Sequence, residues 1–127
     1  MLLTRVKTSI ELKTKAKYKL PTDDVLQDMI QEATIYVANR CDPAELERNI
    51  IEGETILKHI ENGQVIIEPE YPDFTNIEQH LQIDEALSYA VINQTCFLLT
   101  ADAMYKQLAD EDIAIYRCDY SRVGYGD

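Results

Sequence analysis

The sequence predicts an all-α fold: a small helical bundle with a long central helix, an extended proline-containing loop and an extended C-terminal tail. Three observations carry that expectation. Apolar residues recur at steps of three and four through most of the chain, which is the spacing of one helix face. Residues that start and stop helices stand at the ends of those runs. The one β-branched run, Val65-Ile66-Ile67, is closely followed by Pro69 and Pro72. At 127 residues the chain has the length of a single domain, 1–127, and 46% apolar residues give it a core without metal or disulfides.

Residues 1–20 form a basic N-terminal helix or arm. Leu2, Leu3, Val6 and Ile10 mark a short amphipathic helix over 2–13, and Pro21 closes the segment because the residue before a proline avoids the helical region. Residues 22–62 read as two helices. In the first, Thr22 caps and Asp23 adds first-turn negative charge. Val25, Leu26, Met29, Ile30, Ala33, Tyr36, Val37 and Cys41 then form its core stripe. The second restarts at Asp42-Pro43-Ala44-Glu45, a cap, a first-position proline and a capping-box acid. Leu46, Ile50, Gly53, Leu57 and Ile60 follow along one face, and Asn62-Gly63 stops it. Gly53 in mid-helix is either a close helix crossing or a break.

Residues 63–83 read as a loop with a short helix. The stretch 64–74 is an extended excursion or a short edge strand, since its two prolines argue against a central one. Thr75-x-x-Glu78 is a capping box that opens a short helix through Leu81, and this loop is expected to project from the body. Residues 84–109 carry the longest helical pattern. Apolar residues nearly encircle 90–99, which requires cover on several sides, from the same domain or from neighbouring subunits. Asp110, Glu111 and Asp112 crowd its end, against the helix dipole. Residues 110–127 form the tail, where Tyr116, Tyr120 and Tyr125 make either a disordered aromatic terminus or an interface anchor.

The net charge of −11 is unevenly spread. Residues 1–20 hold Arg5, Lys7, Lys13, Lys15, Lys17 and Lys19 against Glu11 alone, while the remainder holds six basic and 22 acidic residues. A basic segment of this kind touches phosphate, or an acidic surface on a copy of itself, or is a solvated terminus. The acidic remainder argues against ordinary DNA binding. A regulator that reads DNA through residues 5–19 is weaker still, because Pro21 interrupts the lysines and no basic recognition helix follows. No apolar run approaches a membrane span, mean hydropathy is −0.28, and the N-terminus lacks a signal-peptide pattern, so an intracellular protein without a membrane partner is expected.

No chemistry is legible in the motifs. Cys41, Cys96 and Cys118 form no Cys-x-x-Cys, and their odd number fits a reducing compartment; His59 and His80 have no zinc spacing. Phosphate-binding, dinucleotide-binding, zinc-protease and nucleophile-elbow motifs do not occur. Acidic pairs fall at helix ends, where capping suffices. No catalytic, cofactor-binding or metal-binding residue is assigned, and an enzyme is not expected.

The order of parts carries a resemblance. A short helix opening Met-Leu-Leu-Thr precedes a helix from Asp24 to Arg40 with Ile30 and Ala33 at its centre. A variable mid-section follows, then a long helix beginning Asp84-Glu-Ala-Leu-Ser-Tyr-Ala-Val, then a tail. This layout resembles the small head–tail connector (adaptor) proteins of tailed bacteriophages and prophages. The resemblance implies a helical bundle that assembles head to tail into a ring of about twelve copies. It also implies a portal protein and a tail-completion protein as partners, and DNA passing through the channel without sequence-specific binding. The implied location is the virion, and the host cytoplasm during assembly. The contact residues expected on this basis are Arg5, Lys13, Lys15, Lys17 and Lys19 on one side, and Tyr116, Arg117, Tyr120, Arg122 and Tyr125 on the other. The alternative is a small acidic regulatory or inhibitor protein that binds one host partner through its acidic body.

Overall fold

Every residue from 90 to 96 is buried, and the other α-helices pack around the helix that contains that stretch. The computed structural model describes residues 1–15, 18–49 and 53–121, the last three by backbone alone. It is 60% helical, with four α-helices and a three-stranded antiparallel sheet among the described residues. The fold is therefore mixed α/β, and the all-α expectation is corrected.

Helix α1 (Leu3–Thr14) buries Leu3, Val6 and Ile10, and α2 (Asp23–Arg40) buries Leu26, Ile30, Ala33 and Val37. Helix α3 (Ser88–Thr100) packs against both and against α4 (Ala103–Ser121). Its cover thus comes from its own chain. With Ile113 and Tyr116 of α4 these side chains make one core, in which each buried Leu, Ile or Val is worth roughly 1.5–3 kcal/mol. Residues 1–15 are not a loose arm: α1 is docked by its apolar stripe, and only its outer face is basic.

The second helix expected over 42–62 does not form. A 3₁₀ turn at Ala44–Leu46 leads into β1 (Glu47–Asn49), and β2 (Ile56–His59) and β3 (Gln64–Ile67) make a hairpin. The strand order is β1-β3-β2, with Arg48 opposite Val65 on one side and His59 opposite Val65 on the other. Asn62-Gly63 is not a helix stop but the hairpin turn. Both residues have positive φ, +66° and +74°, the type I′ pattern whose twist matches that of the flanking strands. Gly53, at φ +93°, also lies in a turn, so it is the break and not a helix crossing.

Strand β3 is central, contrary to expectation. The two prolines lie beyond Ile67, so no ladder N–H is lost, and Glu68 N–H still donates to the Thr55 carbonyl at 2.8 Å. Val65, Ile66 and Ile67 pack with Leu46 and with Ala38 of α2 in a second, smaller core.

The loop after β3 does not project, and Thr75-x-x-Glu78 opens no helix. Asp73 instead accepts hydrogen bonds from the Thr75 N–H and hydroxyl, an Asx turn, and Asn76 does the same for the Glu78 N–H. Side chains of α2 strap the loop down: Gln31 donates to the Pro69 carbonyl at 2.8 Å, and Gln27 accepts from the Phe74 N–H at 2.9 Å. Its far end pairs with the N-terminus, where Leu3 N–H donates to Gln79 and Leu81 N–H to Met1.

The long helix expected over 84–109 is two helices. A 3₁₀ turn (Glu85–Leu87) precedes α3, which ends at Ala101 in the left-handed region, φ +59°. Asp102 then caps α4, its carboxylate accepting the Met104 N–H at 3.0 Å. Residues 110–121, expected as extended tail, continue α4. Asp110, Glu111 and Asp112 therefore sit mid-helix, where the dipole penalty inferred for a C-terminus does not arise.

Candidate interaction surface

Of the residues expected to make contacts, Arg5, Lys13, Lys15 and Lys19 are exposed on or just after α1. Lys13 lines a cleft of about 150 Å³ with Tyr18, Met104 and Tyr105, and Tyr105 donates its hydroxyl to the Lys13 carbonyl at 3.0 Å. Lys17, Arg122, Tyr125 and the side chain of Tyr120 lie outside the described residues.

Tyr116 is not an exposed anchor. It is buried at 5% exposure and donates to Asp84 at 2.7 Å, while its oxygen accepts the Ala44 N–H at 3.1 Å. The Asp84 carboxylate also receives the Ala44 and Glu45 N–H groups, so it caps the 3₁₀ turn, and the capping role read for Asp42 falls to a residue 42 positions away. Asp42 pairs with Lys58 at 3.0 Å instead. Burial, then the Asp84 hydrogen bond, push the Tyr116 phenol well above its ordinary range.

Arg117 is exposed and lines a groove of about 270 Å³ between α2 and α4, on the side of α4 away from Met104. Lys106, Asp110, Ile113 and Arg117 follow at steps of four, three and four along α4, and Tyr36 and Arg40 face them from α2. The Tyr36 hydroxyl donates to Asp110 at 2.8 Å. Lys106 donates to that hydroxyl at 2.6 Å and to the second Asp110 oxygen at 3.0 Å. The Arg40 guanidinium lies 3.4 Å from the Tyr36 ring centroid, a stacked cation–π contact.

The charges respond to this closure. The Tyr36 hydrogen bond, then Asp110, raise the Lys106 ammonium above its ordinary value. Burial works to raise Asp110, but hydrogen bonds from Lys106 and Tyr36, with the nearby charges of Lys106 and Arg40, together hold it below the usual carboxylate range.

Lys13 and Arg117, one from each expected set, line separate clefts, so the structure does not join the sets into one site. Read from the sequence, Tyr36 belongs to a core stripe and Asp110 to a helix end, and no contact is assigned to them, to Arg40 or to Lys106. Their signal was the i, i+4 spacing of each pair, hidden on α4 because that segment was divided at residue 109.

A second groove, of about 530 Å³, lies on the other flank of α2 and is acidic. Glu54 and Glu68 line it with Gln31 and Tyr71, and Tyr71 donates its hydroxyl to Asp28. Among the described residues no group of three or more His, Cys, Asp or Glu is placed to hold a metal, and no helix is long and apolar enough to cross a membrane. Compared with protein-family models, curated proteins and solved structures, the chain matches none of them.

Proposed function

We propose that this chain is a structural virion-assembly protein whose copies form a ring that joins the phage head portal to the tail and extends the DNA channel. The observation that carries the proposal is the helix layout. The helices Leu3–Thr14 and Asp23–Arg40 flank an enclosed helix that follows Asp84, in the order by which the sequence resembles head–tail connectors. The sheet occupies residues 47–67, within the mid-section that the resemblance leaves variable. The uneven surface charge supports the same reading, because a protomer with unlike flanks meets its copies head to tail, and such contacts form a ring where the rotation closes.

Light scattering across a concentration and salt series tests it, with electron microscopy of the largest species. A defined high-order ring that loosens as salt rises is the expected result. A protein that stays monomeric at every concentration, and also when mixed with purified portal, overturns it. That outcome favours the second reading, an acidic regulatory or inhibitor protein. Its specific support is the exposed row Asp24, Asp28 and Glu32 on α2, with Glu54 and Glu68 lining the groove on that flank.

A further inference from the structure

Six of the chain's Lys and Arg residues lie outside positions 1–20, and three of them, Arg40, Lys106 and Arg117, converge on the groove between α2 and α4. Among the described residues that line it, one carboxylate, Asp110, faces them there, and Lys106 already holds it. Arg40 and Arg117 are exposed and have no ion-pair partner among the described residues. On a protein of net charge −11 this groove is a local excess of positive charge, and the stacking of Arg40 on Tyr36 holds one guanidinium in a fixed plane. A planar, oriented guanidinium suits a carboxylate better than a diffuse ion atmosphere.

Its complement is on the same molecule but out of its own reach. Gln31, in the wall of the acidic groove, and Arg40, in the wall of the cationic one, are nine residues apart on α2. At about 100° per residue, nine steps place them on opposite sides of the helix, roughly 13 Å apart along its axis. One protomer cannot fold its own acidic groove into its cationic groove, but a neighbouring copy can present it.

We infer that the cationic groove, Arg40 with Lys106 and Arg117, receives the acidic rim Glu54–Glu68 of a second copy of this chain. The contact is heterologous, with one face of each copy against the opposite face of the next, as ring closure requires. The inference rests on the ring reading above and names the surface through which copies meet.

Charge reversal tests it. Arg40→Glu with Arg117→Glu reverses the groove, and Glu54→Lys with Glu68→Lys reverses the rim. All four residues are exposed, and circular dichroism with a thermal melt checks that each variant folds. Each double variant alone is expected to need at least about tenfold more protein to assemble, because like charges then face each other. A 1:1 mixture restores assembly, since each reversed surface now meets its opposite on the other variant. Wild-type assembly that survives both reversals overturns this interface and leaves the ring reading standing. A wild-type protein that never self-associates overturns both. Retention of the wild type on duplex DNA that Arg40→Glu/Arg117→Glu abolishes, while assembly is unaffected, assigns the groove to phosphate and overturns the inference.

Discussion

The three cysteines have three different surroundings, and the thiols should report them. Burial, partly offset by Lys58, pushes Cys41 up to about 12, and burial pushes Cys96 up to about 11, so neither carries thiolate at neutral pH. Cys118 is exposed on α4. A maleimide at pH 7 should therefore label one site per folded chain, at Cys118, and three after denaturation, as read by intact mass. Fast labelling of Cys96 in the folded state would contradict the enclosure of α3. The Tyr36–Lys106–Asp110 cluster makes a second prediction of this kind. Because Asp110 is held below the usual carboxylate range, its contribution to stability is fully present above pH about 4 and is lost as pH falls through its lower folded value. Asp110→Asn should cost at most about 1 kcal/mol at pH 7, since the pair is half-exposed, and the gap to wild type should close in acid. A gap that widens in acid would reverse the assigned sign.

Elements were legible where periodicity and packing agreed and illegible where the decisive information was a single turn residue. The apolar stripes of α1 and α2 are dictated by 3.6-residue spacing over a face that meets the core, and their register follows from the sequence to within a residue or so. The mid-section carried a false helical rhythm, Leu46, Ile50, Leu57 and Ile60, while the two-residue signal Asn62-Gly63 overrode it. Such a pair fixes hairpin register through positive φ, which hydrophobic spacing does not report. Likewise Asp102 was a cap hidden inside an apolar run, and the acids 110–112 signalled that the helix continued. Of the candidate surface, Arg117 was visible as an exposed tail cation, but its neighbours come from α2, and that juxtaposition is set by tertiary packing alone. Two substitutions weigh these turns. Gly63 has open space around it, so Gly63→Ala meets only the strain of a Cβ at positive φ, less the unfolded-chain entropy that alanine removes, and should cost about 1 kcal/mol in urea unfolding. Ala101→Gly relieves the same strain at the α3–α4 junction, less the entropy that glycine adds to the unfolded chain, and should gain up to about 1 kcal/mol. A neutral Gly63→Ala would remove the hairpin turn as the element that overrides helical spacing.

At the scale of the whole molecule, one variable should act with opposite signs on folding and on assembly. A single protomer of net charge −11 repels itself, since 22 of its 23 acids lie after residue 20 and only six basic residues accompany them there. Screening that repulsion stabilises the folded protomer. Contact between a cationic groove and an acidic rim gains from the same fields, and screening weakens it. The Debye length falls from about 30 Å at 0.01 M to about 8 Å at 0.15 M, so both effects belong to that range of sodium chloride. At protein concentrations too low for assembly, the melting temperature should rise with salt across that range, while at assembling concentrations the mean mass should fall. The two curves separate causes that either alone confuses. If salt raised both stability and mass, the interface would be predominantly apolar, and the exposed row Met104, Leu108 and Ile115 along α4 would be the surface to mutate. If salt lowered both, the net repulsion would be outweighed within each protomer by attraction between its basic α1 and its acidic α2, a balance for which the Lys7–Asp23 pair at 2.8 Å is the visible contact. Opposite slopes follow only if the acidic excess dominates inside a protomer and complementarity dominates between protomers, and that is the charge arrangement described for α2 and its two flanks.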